Sequence, residues 1–204
     1  MFHVKHPPWA ERAAAVGVSL SPAQAGLLDR YHELLHERAV PLGMIAAADR
    51  ELLAERHILD GLRGVPAVDR VDRAVDLGSG AGIPGIPIAI ALPEVAVVLA
   101  EARRNRAAFL EAAVDLLPLP NAVVHAGRAQ ELPAASFDVA LARAFADVAG
   151  CWAIATRLLK PTGRLLYWAG SSFSAGDVPA GVRSQVLSSS ALANAGPVVI
   201  MSAQ

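Results

Sequence analysis

Cysteine is almost missing from this 204-residue chain: Cys151 stands alone, so no internal disulfide can form. Aromatic residues are scarce at 5%, and 16 of the 18 basic residues are arginine. That bias, like the abundance of alanine, is what genomic base composition produces, and it carries no chemistry by itself. A long unbroken apolar run is missing as well. The most apolar stretch, 83–100, is interrupted by Pro84, Gly85, Pro87, Pro93 and Glu94, which a membrane-spanning helix does not tolerate. The opening residues lack the cationic, apolar and small-residue order of a secretory leader, so the cytoplasm is the expected compartment. Neither sign of charge is in excess. With 18 basic against 19 acidic residues the formal charge is -1, which excludes a chain coated with positive charge but leaves room for a local basic patch.

What the chain does have is apolar surface, 54% of its residues, enough for a packed core in one domain or one domain with a short extension. Helical periodicity marks 9–17, 21–37 and 49–62. In the second of these Ser21 is placed to cap, Pro22 fits the first helical position, and Leu27, Leu28, Tyr31, Leu34 and Leu35 form a stripe. From Pro66 onward strands and helices alternate: strands over 71–77, 95–100, 122–125, 137–142 and 164–168, with helices over 83–92, 103–117 and 148–159. Two more strands, 182–187 and 197–201, close the series, with a loop over 171–180. The expectation is an α/β fold: a mainly parallel seven-stranded Rossmann-like sheet flanked by helices over 66–204, preceded by a helical extension over 1–65.

The segment Asp76-Leu-Gly-Ser-Gly-Ala-Gly-Ile-Pro-Gly85 sits where the first strand passes to a helix. Ligands bind there in open α/β sheets, and glycines let the backbone turn sharply and come close to them. Read from Gly80 the segment satisfies the dinucleotide pattern G-x-G-x-x-G, so a nicotinamide has to be weighed. Several features favour S-adenosyl-L-methionine instead. Asp76 precedes the first glycine by two residues; Pro84 and Pro87 delay the next helix; Leu159-Lys-Pro-Thr-Gly163 resembles a turn common in Rossmann-like methyltransferases; and no length remains for a second substrate domain. Glu101, ending the second strand, suits the ribose hydroxyls of either cofactor.

The glycine loop continues as Ile83-Pro-Gly-Ile-Pro87, and around it stand Arg56-His-Ile-Leu-Asp60, Glu101 with Asn105-Arg106 and Phe109-Leu110, Gly127-Arg-Ala-Gln130 and Ala142-Arg-Ala-Phe145. In that order, over roughly residues 10–170, the chain resembles the RsmG (GidB) family of 16S ribosomal RNA guanine-N7 methyltransferases. The resemblance implies a class I methyltransferase that uses S-adenosyl-L-methionine to modify G527 in the 530 loop of 16S rRNA or the small ribosomal subunit. It implies cofactor contacts at Gly78, Ile83, Glu101, Ala129, Gln130 and Arg143, beside Asp76, Gly80 and Gly82 of the same loop. Arg143 lies beside apolar Leu141 and Phe145, so its guanidinium should meet a carboxylate, a phosphate or the cofactor carboxylate, and it serves to position rather than to act as a base.

Arg103, Arg104 and Arg106 make the densest basic cluster and are candidates for RNA phosphates, the alternative being a merely solvated face; Arg56 and His57 face the same cleft, or His57 packs as a hydrogen-bonded helix residue. Lys5, His3 and His6 form either an RNA-binding arm or a disordered terminus, the commoner outcome. His32-Glu-Leu-Leu-His36 matches the zinc motif H-E-x-x-H, but its helix already spends its apolar stripe on packing and no third histidine follows at the extended spacing, so no metal is expected. The chain departs from the family at Glu37-Arg-Ala-Val-Pro-Leu-Gly-Met-Ile45 and at Tyr167-Trp-Ala-Gly170, where Ala169 replaces an expected lysine and Trp168 either offers a stacking surface or, as is commoner for a large aromatic at a strand end, belongs to the core. A small-molecule methyltransferase and a non-catalytic cofactor- and RNA-binding module in ribosome assembly remain as alternatives. No second subunit is expected.

Overall fold

Strands buried on both sides need helices above and below, and the order of elements supplies them. The computed structural model describes residues 8–187, 192 and 195–204; the arm with His3, Lys5 and His6 lies outside the described residues. Helices α1 (Trp9–Ala14) and α2 (Pro22–Leu34) come first. Ser21 caps α2 as its spacing predicts: its hydroxyl accepts the Gln24 N–H at 3.3 Å, and the Gln24 side chain accepts the Ser21 N–H at 2.8 Å. Helix α2 then widens into π turns over Leu35–Ala39. The helix expected over 49–62 is instead a succession of a 3₁₀ segment (Ala47–Leu52), a π segment (Leu53–Leu59) and the short α3 (Asp60–Leu62), followed by α4 (Val65–Val68).

The alternating part follows: β1 (Arg73–Leu77), α5 (Gly85–Ala91), β2 (Ala96–Ala100), α6 (Arg104–Leu116), β3 (Ala122–His125), β4 (Phe137–Arg143), α7 (Val148–Leu158), β5 (Leu159–Trp168), β6 (Val182–Leu187) and β7 (Val198–Ala203). The seven strands lie in the order β3-β2-β1-β4-β5-β7-β6. The first five are parallel, β7 runs antiparallel to β5, and β6 antiparallel to β7. The expected turn over 159–163 belongs to β5, whose register against β4 shifts between Phe137 and Val139. Lys160 there reaches Asp138 at 2.7 Å, and Asp138 also accepts the Arg73 N–H at 3.0 Å, so the entries to β1, β4 and β5 are tied together.

Side chains alternate across the sheet and divide the core into two layers. Ala74, Leu99, Val139, Leu141 and Leu166 pack against α5, α6 and the amino-terminal helices; Val75, Leu77, Ala140, Ala142 and Leu165 pack against α7. Residues 9–68 therefore do not stand apart from the sheet: Trp9, Leu28, Tyr31, Leu35 and Ile58 share one apolar layer with it. No helix among the described residues is long and apolar enough to cross a membrane.

Candidate active site

At the carboxyl edge Leu77 of β1 lies beside Ala100 of β2 on one side and Ala142 of β4 on the other. The chain leaves β1 toward β2 and reaches β4 only later, so the loops after β1 and β4 diverge and open a crevice. The loop after β1 turns through Gly78, Gly80 and Gly82 at φ of 65°, 59° and 94°, a region that side-chain-bearing residues rarely adopt. Space is as restrictive as conformation at Gly78, where a Cβ would collide with the Phe145 ring.

Polar groups then lock this loop in place. Glu101, 6% exposed, accepts the Gly80 N–H at 3.0 Å through one carboxylate oxygen and the Arg103 N–H at 2.8 Å through the other. The Ser79 N–H donates to the Ala100 carbonyl at 3.0 Å. Asp76, 1% exposed, accepts the Gly85 N–H at 3.0 Å at the start of α5, and burial pushes its carboxyl up to about 7. From the far side of the loop the buried Tyr31 hydroxyl donates to the Ala81 carbonyl at 2.8 Å. Burial, and then the Asp76 charge, raise the Tyr31 phenol well above its ordinary value, so it remains a donor.

The crevice is a cleft of about 360 Å³. It brings together Gly78, Glu101, Ala129 and Gln130 from the expected cofactor set with Arg103 and Arg106 from the expected RNA set. Arg128 and Phe145 complete its mouth. Asp76, Gly82 and Ile83 lie beneath the loop, buried, and Gly80 faces Glu101. Arg104 is exposed on the first turn of α6. Among the described residues none of Arg103, Arg104, Arg106 and Arg128 forms an ion pair.

Arg143, Arg56 and His57 gather elsewhere, against the amino-terminal helices, and do not line this cleft. The Arg143 guanidinium meets the Asp60 carboxylate at 3.3 Å, donates to the Arg56 carbonyl at 2.7 Å and faces His57 Nδ1 at 3.4 Å. Asp60 also holds Arg63 at 2.8 Å. Asp49 accepts from Arg56 at 2.6 Å and lies 3.1 Å from His57 Nε2. Burial and the neighbouring Arg143 keep the His57 imidazole below its ordinary value, hence neutral at pH 7. The sequence asked only that Arg143 meet an anion, and folding supplies Asp60; the contacts of Tyr31 had no signal beyond its place in a packing stripe.

The structure decides between the two readings of Trp168 and gives the H-E-x-x-H histidines their neighbours. Trp168 is a core residue and presents no stacking surface: it is 6% exposed, its ring fills the space beside Gly64, and its Nε1 donates to the Asp60 carbonyl at 2.8 Å. In the H-E-x-x-H segment His36 Nε2 faces Arg50 at 3.2 Å, and His32 lies 6.3 Å from the Trp9 ring. No group of three or more potential metal ligands is found among the described residues.

Residues 24–178 match the GidB family, rRNA small subunit methyltransferase G. The chain is 37% identical over 185 residues to ribosomal RNA small subunit methyltransferase G of Mycolicibacterium paratuberculosis, covering 81% of this chain and 74% of that protein. It is 40% identical over 168 residues to the protein of the same description from Burkholderia thailandensis, covering 78% and 72%. Among solved structures it shares its fold with a MtNAS variant in complex with S-adenosylmethionine, at TM-score 0.60 and 19% identity over 96% of this chain and 76% of that one. It also shares its fold with a SAM-dependent methyltransferase from Aquifex aeolicus, at TM-score 0.55 and 16% identity over 76% and 94%.

Proposed function

The chain belongs to the GidB family, rRNA small subunit methyltransferase G, and from that premise we propose that it transfers a methyl group from S-adenosyl-L-methionine to N7 of a guanine in small-subunit ribosomal RNA. The observation that carries this reading is one cleft with two characters: a glycine loop bonded to the buried carboxylate of Glu101, and a rim with three arginines that have no acidic partner among the described residues. The family resemblance points to G527 in the 530 loop as the base. A single copy of the chain carries both the cleft and the rim, so we take the acting unit to be a monomer in the cytoplasm.

The residues present fit the cofactor. Each oxygen of Glu101 accepts one backbone N–H and keeps lone-pair capacity for a ribose hydroxyl. Gly78 lines the cleft with bare backbone, with no side chain to obstruct a close approach, and backbone groups around buried Ala129 suit the edge of an adenine. Arg143, fixed by Asp60, adds positive charge behind the loop. S-adenosyl-L-methionine supplies an electrophilic sulfonium methyl when bound. Guanine N7 presents an in-plane lone pair and carries no proton, so forming the new N–C bond while the C–S pair returns to sulfur requires no general base. The chain's own work is to hold, align and exclude water. The positive charge left on the base is one that the exposed face of Phe145 stabilises at the cleft mouth. Arg103, Arg104 and Arg106 would hold phosphates, fixing register without reading sequence.

The test is to map N7-methylguanine in 16S rRNA after small subunits lacking the mark, or their naked RNA, are incubated with the protein and labelled cofactor. One methylated guanine in the 530 loop is expected. Normal cofactor binding with no transfer to either substrate would overturn the RNA assignment.

A further inference from the structure

A loop with three glycines in the left-handed region has many other conformations open to it. The turns its own backbone closes, Gly82 N–H to the Ser79 carbonyl and Ile86 N–H to the Gly82 carbonyl, both at 2.7 Å, leave the Gly80 N–H and the Ala81 carbonyl to be held from elsewhere. Groups outside the loop complete the geometry that receives a ligand. Glu101 and Ala100 do so on the β2 side, through Gly80 and Ser79. On the other side stands Tyr31, whose ring is fully buried in α2, fifty positions earlier in the chain, and whose hydroxyl reaches the Ala81 carbonyl at 2.8 Å between the second and third glycines.

We infer that Tyr31 is a positioning residue for the proposed cofactor loop, its hydroxyl holding the Gly80–Gly82 backbone in the binding geometry from outside the Rossmann-like part of the chain. The inference rests on the cofactor reading given above. Removing the hydroxyl leaves the Ala81 carbonyl without this donor, and the loop then spends part of its time in geometries that do not bind. Affinity falls by the fraction lost, while the chemistry of the complex that does form is unchanged. Helix α2 also supplies an internal control. Gln24 Nε2 donates to the Ile90 and Ala91 carbonyls at 3.0 and 2.9 Å, at the far end of α5 and away from the glycines.

The experiment compares Tyr31→Phe and Gln24→Leu with the wild-type full-length chain. It measures the dissociation constant for S-adenosyl-L-homocysteine by calorimetry, KM and kcat for methyl transfer, and the melting temperature. Tyr31→Phe should weaken binding and raise the cofactor KM about three- to tenfold, the effect of losing one buried hydrogen bond, with kcat within about twofold. Gln24→Leu should lower the melting temperature and leave the dissociation constant within about twofold. Unchanged binding in Tyr31→Phe, or an equal rise in both variants, would reduce Tyr31 to ordinary packing and overturn the inference. A wild-type chain that binds neither S-adenosyl-L-homocysteine nor S-adenosyl-L-methionine would overturn the cofactor reading and the inference with it.

Discussion

Burial raises the Asp76 carboxyl to about 7 because its side chain is 1% exposed beneath the glycine loop, and the hydrogen bonds from Ser79 and Gly85 only partly offset the loss of water. An acid whose folded value is raised binds its proton more tightly in the folded state. Its contribution to stability is therefore complete below the ordinary carboxyl range near 4 and is lost as pH climbs toward 7. Asp76→Asn removes that dependence. Relative to the wild type, the variant should gain about 2–3 kcal/mol in urea unfolding between pH 5 and pH 8, and parallel pH profiles would show that the wild-type carboxyl is not raised. At this scale the sequence was informative where backbone and chemistry coincide. A carboxylate two residues before a run of glycines, and another at the next strand end, were legible as a pair, and both are buried against the loop. What Arg143 would meet was legible only as a demand for an anion, because its partner Asp60 is brought to it by folding.

Helices and strands were legible wherever the apolar period was regular, as in α2, α6 and β3. The segment 47–62 was not, because 3₁₀ and π turns change the number of residues per turn while keeping an apolar face, and periodicity alone reads them as one helix. That irregular stretch brings Arg56, His57 and Asp60 onto the tip of β4, where Asp60 faces both Arg63 and Arg143. Two guanidiniums share one mostly buried carboxylate, so removing it leaves charge without compensation. Asp60→Ala should cost about 3–5 kcal/mol of unfolding free energy, read as a lower urea midpoint. A loss below about 1 kcal/mol would mean that water reaches both arginines freely.

For the whole molecule, net charge is a poor guide to partners. The balance of -1 averages over a surface on which Arg103, Arg106 and Arg128 stand around one cleft, with Arg104 exposed on the adjoining turn of α6, all without acidic partners among the described residues. Replacing Arg103, Arg104 and Arg106 together by Gln should lower the slope of log affinity against log salt for 16S RNA by about 2 to 3. Folding stability should hold or rise, since positive charge at the start of α6 opposes the helix dipole. An unchanged slope would place the RNA elsewhere. By itself the sequence determined the Rossmann-like order of elements, the glycine loop and the arginine cluster, because each of these is written in residues near one another along the chain: apolar period, turn chemistry and runs of like charge. Only the tertiary structure decided that the amino-terminal helices share the sheet's core, that Tyr31 reaches Ala81, that Asp60 fixes Arg143 and that Trp168 is buried. Those contacts join residues 50 or more positions apart or depend on which face of an element turns inward, and neither is set by local propensity.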